Sequence, residues 1–124
     1  MSYMKEEFDQ ILKDYGHKVY LQRKIQDSDG DDVYSNEFEI HLTRYTVNQN
    51  LSTIQTEEVV GIVDTSERLY YFRSEVHPFE GDRIYEYDPR VVQTVWEMDA
   101  VTMMRGLGGQ LEYYTAGVTR IRPN

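Results

Sequence analysis

The spacing of apolar and polar positions changes period near residue 16. Met4, Phe8, Ile11, Leu12 and Tyr15 recur on one helical face while Glu6, Glu7, Asp9 and Asp14 lie off it, which predicts a short amphipathic helix over residues 1–16. Ser2 is its candidate cap, Glu6 and Glu7 suit the positive end of its dipole, and Gly16 supplies a C-terminal stop. From His17 the period becomes two. Val19, Leu21 and Ile25 read as one face of a strand, and Tyr20, Gln22, Lys24 and Gln26 as the other. Over Glu37–Val47 the alternation assigns Phe38, Ile40 and Leu42 inward and Glu37, Glu39, His41 and Thr43 outward. Residues 27–36 between these strands are expected to form an exposed hairpin loop, and the polar residues 48–57 a second loop.

The stretch Leu69–Asp88 organises the remainder. Two aromatic-rich runs, Leu69–Arg73 and Arg83–Tyr87, flank a connection carrying Pro78 and the pair Gly81-Asp82; Gly81 takes φ > 0 without steric cost and Asp82 can accept from nearby amides, so the pair can turn the chain into a strand. A further strand is expected over Glu58–Val63, before a turn at Asp64-Thr65-Ser66. After the turn at Asp88-Pro89-Arg90, Val91–Met98 places Val92, Thr94, Trp96 and Met98 on one face, with Trp96 as a core anchor. Residues 99–109 combine Met103 and Met104 with three glycines and are expected as a flexible loop or bent strand end, and Gln110–Arg122 as a long strand with a bulge at Gly117. One helix followed by six or seven strands over residues 17–124, with no βαβ alternation, gives the fold class: mainly β, a small antiparallel β-barrel or sandwich with one N-terminal α-helix. At 124 residues and 40% apolar content, residues 1–124 are expected to form a single domain.

Composition narrows the function classes. The chain has no cysteine, which removes disulfides, thiolate metal sites and cysteine nucleophiles and suits a reducing compartment. The N-terminal residues MSYMKEEFDQ are charged, and no run approaches the roughly 18 apolar residues of a membrane span, so a soluble, unexported protein with no membrane partner is expected. A net charge of -9 argues against sequence-specific nucleic-acid binding. The charge is uneven. Asp27, Asp29, Asp31, Asp32, Glu37 and Glu39 stand without a base across residues 27–39, whereas residues 105–124 hold Arg105, Arg120 and Arg122 against Glu112, so opposite poles can bring copies together head to tail.

Asp27, Asp29 and Asp31 copy the opening of an EF-hand loop, but Asp32 stands where glycine is required and Phe38 where a bidentate glutamate is required. His17, His41 and His77 are scattered without a zinc-like spacing. No GxSxG or Ser-x-x-Lys box offers a nucleophile, and RGLGG (Arg105–Gly109) lacks the Gly-Lys-Ser/Thr ending of a phosphate loop. No catalytic, cofactor or metal residue is nominated, and no enzyme activity is expected. Eleven tyrosines are many for this length, and in the adjacent pairs Tyr70-Tyr71 and Tyr113-Tyr114 one ring of each is expected outward. The candidate subunit or partner contacts are Tyr70, Tyr113, Met103, Met104, Arg105 and Arg120.

The order of features, a helix ending in Tyr15-Gly16-His17, an immediate strand KVYLQRKI and a later Gly81-Asp82-Arg83-Ile84-Tyr85-Glu86, resembles the small virion proteins of tailed bacteriophages, and most of all neck proteins of the head-closure or head-tail connector type. The resemblance covers most of the chain, and its motifs are short and structural. It implies a structural β-barrel subunit assembled in the host cytoplasm into a virion ring, in contact with copies of itself and with portal or adaptor and tail proteins, with DNA passing through the lumen without sequence-specific binding. Some members of the family carry a cysteine-rich insert after the first strand; here that place holds DSDGDD, so no metal is carried over. The alternatives are a tail terminator, baseplate or decoration subunit, and, from another class, a calcium- or saccharide-binding β module.

Overall fold

The computed structural model describes residues 3–47 and 66–121. Helix α1 (Tyr3–Tyr15) forms where the apolar spacing places it; Leu12 is fully buried beneath it and Phe8 stacks on Tyr113 with ring centroids 4.6 Å apart. Gly16 ends the helix, its amide donating to the Leu12 carbonyl at 2.9 Å. A Cβ at Gly16 would lie 2.4 Å from that oxygen, so glycine is what lets the chain enter the first strand at the very next residue.

Six strands follow among the described residues: β1 (His17–Gln26), β2 (Asp32–Val47), β3 (Arg68–Arg73), β4 (Arg83–Tyr85), β5 (Val95–Arg105) and β6 (Leu111–Ile121). They close into a barrel in the order β1-β2-β3-β6-β5-β4, every pairing antiparallel. The protein is thus a barrel rather than a sandwich, with α1 lying outside it against β2, β3 and β6. The interior is filled by Val19, Leu21, Tyr70, Phe72, Ile84, Trp96, Met98, Tyr114, Ala116 and Val118. Each large aliphatic or aromatic side chain so buried stabilises the fold by roughly 1.5–3 kcal/mol against exposure. Trp96 is a core residue, as expected of the chain's single tryptophan on the face it shares with Met98.

Several sequence expectations need correction. The 27–36 loop is shorter, because β2 starts at Asp32 and pairs back to Gln26. Residues 99–109 are not a loop: β5 runs through to Arg105, and a single 3-10 turn at Leu107–Gly109 joins it to β6. The glycines act only at that turn, where Gly108 and Gly109 have φ of 85° and 80°. The register irregularity opposite Gly117 belongs to β5, at Asp99 between Met98 and Ala100, rather than to β6. Val92 and Thr94 belong to an exposed loop, since β5 begins only at Val95. Residues 48–57 and the strand expected over Glu58–Val63 lie outside the described residues.

The largest correction concerns β2. Val19 faces the core and pairs with His41, and His17 pairs with Thr43, which is 0% exposed; His41 and Thr43 therefore take the inner face. Phe38, Ile40 and Leu42 pair with Gln22, Tyr20 and Lys18 on the outer face. A register irregularity opposite Arg23, where β2 carries two extra residues, leaves the faces of β1 unchanged; Ile25 is 47% exposed because the β1–β2 hairpin runs past Gln22, the last β1 residue paired with β4.

The connection between β3 and β4 crosses one end of the barrel, because β3 pairs with β2 and β6 whereas β4 pairs with β1 and β5. Asp82, 1% exposed, holds this crossing in place. Its carboxylate accepts from the amides of Lys24 and Phe79 and from the Arg23 guanidinium, each at 3.0 Å. Arg23 also donates to the carbonyls of Val76 and His77. Gly81 has φ of 91°, and a Cβ there would meet the Lys24 side chain at 2.7 Å. Replacing Asp82 with Ala removes one of the two carboxylates that neutralise Arg23 and leaves two amides without their acceptor, so Asp82→Ala is expected to cost about 2 to 3 kcal/mol of folding stability. Urea denaturation of the two proteins measures it, and an unchanged midpoint would refute the assignment.

Candidate functional site

Three regions carry unusual chemistry. The first is the barrel end opposite the crossing, where the barrel opens into a cavity of about 590 Å³. Arg68, at the start of β3, projects into it between the rings of Tyr45 and Trp96, at 4.0 and 4.1 Å from their centroids. It donates to Glu86 at 2.7 Å and to the Tyr70 hydroxyl at 3.0 Å, and that hydroxyl donates to Glu86. His17 approaches the other Glu86 oxygen at 3.3 Å. Burial, and then the hydrogen bond and charge of Glu86, hold the Tyr70 phenol above the ordinary tyrosine range. Arg68, Tyr70 and Glu86 satisfy one another and form a clamp. Left over among the described residues are Arg120, exposed at the rim without an ion pair, and two buried ring nitrogens without a hydrogen-bond partner, Trp96 Nε1 and His17 Nε2.

The second region is the crossed end. Arg23 pairs with Glu39 through two hydrogen bonds, at 2.8 and 3.1 Å, and His41 approaches the same carboxylate at 2.8 Å. The hydrogen bond from Arg23, with a further one from His41, holds the Glu39 carboxyl down at about 2 against an ordinary 4.5. Beside it, His77 holds a positive φ of 49° and hydrogen-bonds the Tyr114 hydroxyl at 2.8 Å. Met103 faces the same side as Tyr114 and helps to line a surface hollow there.

The third region is the outer wall. Phe38, Ile40 and Leu42 of β2 continue through Tyr20 of β1 and Tyr85 of β4 to Val95 of β5, each step a cross-strand pair or ring contact. Ile40 is 57% exposed. Among the described strands, Asp32–Leu42 pair with β1 alone, since β3 joins β2 only from Thr43 onward; this is a free sheet edge beside an apolar wall.

The residues singled out as contacts fall in different places. Tyr70 is 0% exposed and belongs to the core and the clamp, a correction forced by its cross-strand partners; the ring that faces outward is Tyr71. Tyr113 does face outward, but α1 covers it. Met103 and Arg105 are exposed at the crossed end, with Arg105 donating to the Gly109 carbonyl of its own turn, and Met104 is half-buried. Arg120 alone lies in the open-end cavity. Sequence reading missed Arg68, Glu86 and the outer row; the available signal was a charged residue bordering each aromatic run. The exposed carboxylates of Asp27, Asp29 and Asp31 lie within 4.8 Å of one another, and Asp27 already caps the turn by accepting from the amides of Asp29 and Asp31. No helix among the described residues is long and apolar enough to cross a membrane.

Comparison with protein-family models, with curated proteins and with solved structures finds no match. The functional reading rests on the residues and their geometry.

The Glu39 geometry sets a pH dependence. A carboxyl held low in the folded state stabilises it above the unfolded-chain value of 4.5, and this contribution is lost as the pH falls toward 2. Asp88, held at about 2 by Arg90, adds a loss over the same acid range, so Glu39→Gln should reduce the slope of stability against pH between 4.5 and 2 without abolishing it. Urea midpoints measured across that range decide; parallel curves would contradict the assignment.

Proposed function

We propose that this chain is a structural virion subunit of a tailed bacteriophage, assembled as a ring in the neck that connects or closes the junction between head and tail. The observation that carries the reading is the outer row Phe38, Ile40, Leu42, Tyr20 and Tyr85 beside the free edge of β2. A domain this small has little apolar surface to spare, and an apolar wall flanking a strand edge that is unpaired among the described residues is what a neighbouring subunit covers. Tyr15-Gly16-His17 and Gly81-Asp82-Arg83, which carry the resemblance, form the helix-to-strand junction and the barrel-crossing corner.

Core side chains fill the barrel, so DNA would pass through the hole of a ring and not through the subunit itself. A net charge of -9 lets phosphate pass without being held. Portal or adaptor proteins and tail proteins are the remaining partners of such a ring, and the subunit has no catalytic role in it.

The test is assembly. Purified protein mixed with portal-bearing heads or with tails should join one of them as a ring visible by particle imaging, and Ile40→Asp, at an exposed outer position, should weaken joining at least tenfold while leaving the thermal midpoint within a few degrees. Recovery on tails but never on heads would move the subunit to a tail terminator or baseplate position. Failure to join either would refute the reading.

A further inference from the structure

Two features at opposite ends of the barrel remain unexplained by the fold. At one end the β1–β2 hairpin continues past Gln22, the last β1 residue paired with β4, and turns through Asp27–Asp31. Residues 27–32 carry four aspartates and no base, and all of them are exposed. Lys24 approaches Asp32 at 3.4 Å, and Asp27 is committed to capping the turn, which leaves the Asp29 and Asp31 carboxylates available. Ile25, 47% exposed, stands beside them as an apolar shoulder.

At the other end the open cavity presents the complement. Glu86 neutralises Arg68, but Arg120 is exposed at the rim and has no ionic partner among the described residues, so the charge left over at this end is positive. The lip of the cavity is apolar, with Val91 55% and Val92 101% exposed.

We infer that the acidic tip of the β1–β2 hairpin of one copy docks in the open barrel end of the next. Asp29 and Asp31 supply carboxylate acceptors to Arg120, and Ile25 lies against Val91 and Val92. Because tip and cavity sit at opposite ends of the same barrel, a tip does not reach the cavity of its own chain, and the contact is heterologous: each copy gives a tip and receives one. Such a contact closes into a ring when the rotation per subunit divides a full turn. The inference rests on the ring reading and adds the contact that joins neighbours.

The absence of native cysteine makes the test direct. Asp29→Cys and Val92→Cys, made as separate full-length proteins, are mixed under mild oxidation at high protein concentration and low salt. The expected product is a 29–92 disulfide heterodimer formed at least tenfold faster than a control pairing Asp29→Cys with Lys13→Cys, a site on α1 remote from the cavity. Light scattering of a second set of variants reads the charge pairing: Asp29→Lys/Asp31→Lys and Arg120→Glu should each reduce association, and a chain carrying all three changes should regain it. Oligomers without the 29–92 product, or insensitive to these variants, overturn the docking inference and leave the ring reading intact. A protein that gives neither the cross-link nor any association overturns the inference, and the ring reading then stands or falls on its own test with heads and tails.

Discussion

The Asp82 carboxylate receives three hydrogen bonds from two elements: the Arg23 side chain and the Lys24 amide, adjacent on β1 and far away in sequence, and the Phe79 amide of the crossing segment itself. An unpaired carboxylate buried this deeply would be expensive, and what offsets the expense is that every donor comes from an element that must be in its native place. The backbone around it is similarly constrained, with the Asp82 carbonyl accepting from the Met98 amide and the Gly81 amide donating to the Met98 carbonyl. One residue thereby ties β1, β5 and the β3–β4 crossing together. Because β3 and β4 are not neighbours in the sheet, this tie decides where the chain re-enters the barrel wall.

The two ends of the barrel follow from that asymmetry. The crossing segment covers one end with the buried residues Val76 and Pro78, and the guanidinium of Arg23 fills the space beneath its carbonyls. No such segment covers the other end among the described residues, and there the fold relies on side chains: Arg68, held between Tyr45 and Trp96, bridges β3 to Glu86 just beyond β4. One charged residue per end, each neutralised by a part-buried or buried carboxylate, substitutes for apolar packing where the barrel meets water. Arginine suits both positions because its planar fork reaches several acceptors and stacks on rings at once.

Much of the fold was legible in the sequence. The helix and the barrel class follow from a change of period at Gly16-His17, and the Gly81-Asp82 corner follows from the turn chemistry of those two residues. What alternation alone could not give is its sign. Phe38, Ile40 and Leu42 alternate well, yet they face out, because the inner positions are taken by residues whose polarity is absorbed inside: the Thr43 hydroxyl donates to the Tyr71 carbonyl, and His41 is held by Glu39. A period of two reports that a strand has two faces; only its partners report which is inside. The same limit explains the 99–109 segment, where the extra residue at Asp99 resets the phase without any glycine or proline to mark it; Ile25 is exposed because the hairpin extends beyond its β4 partner, which no local pattern encodes. Of the candidate site, Arg120 was legible as part of a basic C-terminal region, but the cavity beside it joins residues from β2, β3, β5 and the loop before β5, a juxtaposition that no local pattern encodes.

Barrel closure also bears on the proposed ring. Closing a sheet removes the hydrogen-bonding edges through which β-proteins most easily associate. Among the described residues, β2 gains its β3 partner only at Thr43 and the hairpin outruns its β4 partner at Gln22, so this sector keeps open edges. The outer apolar row lies on that same unclosed sector, and the acidic tip is its extremity. Concentrating open edge, apolar wall and charge in one sector gives a subunit a directional means of attachment while the rest of its surface stays closed. Orientation of that kind is required of a brick that must repeat around an axis, and a symmetric apolar patch spread over the barrel would not provide it.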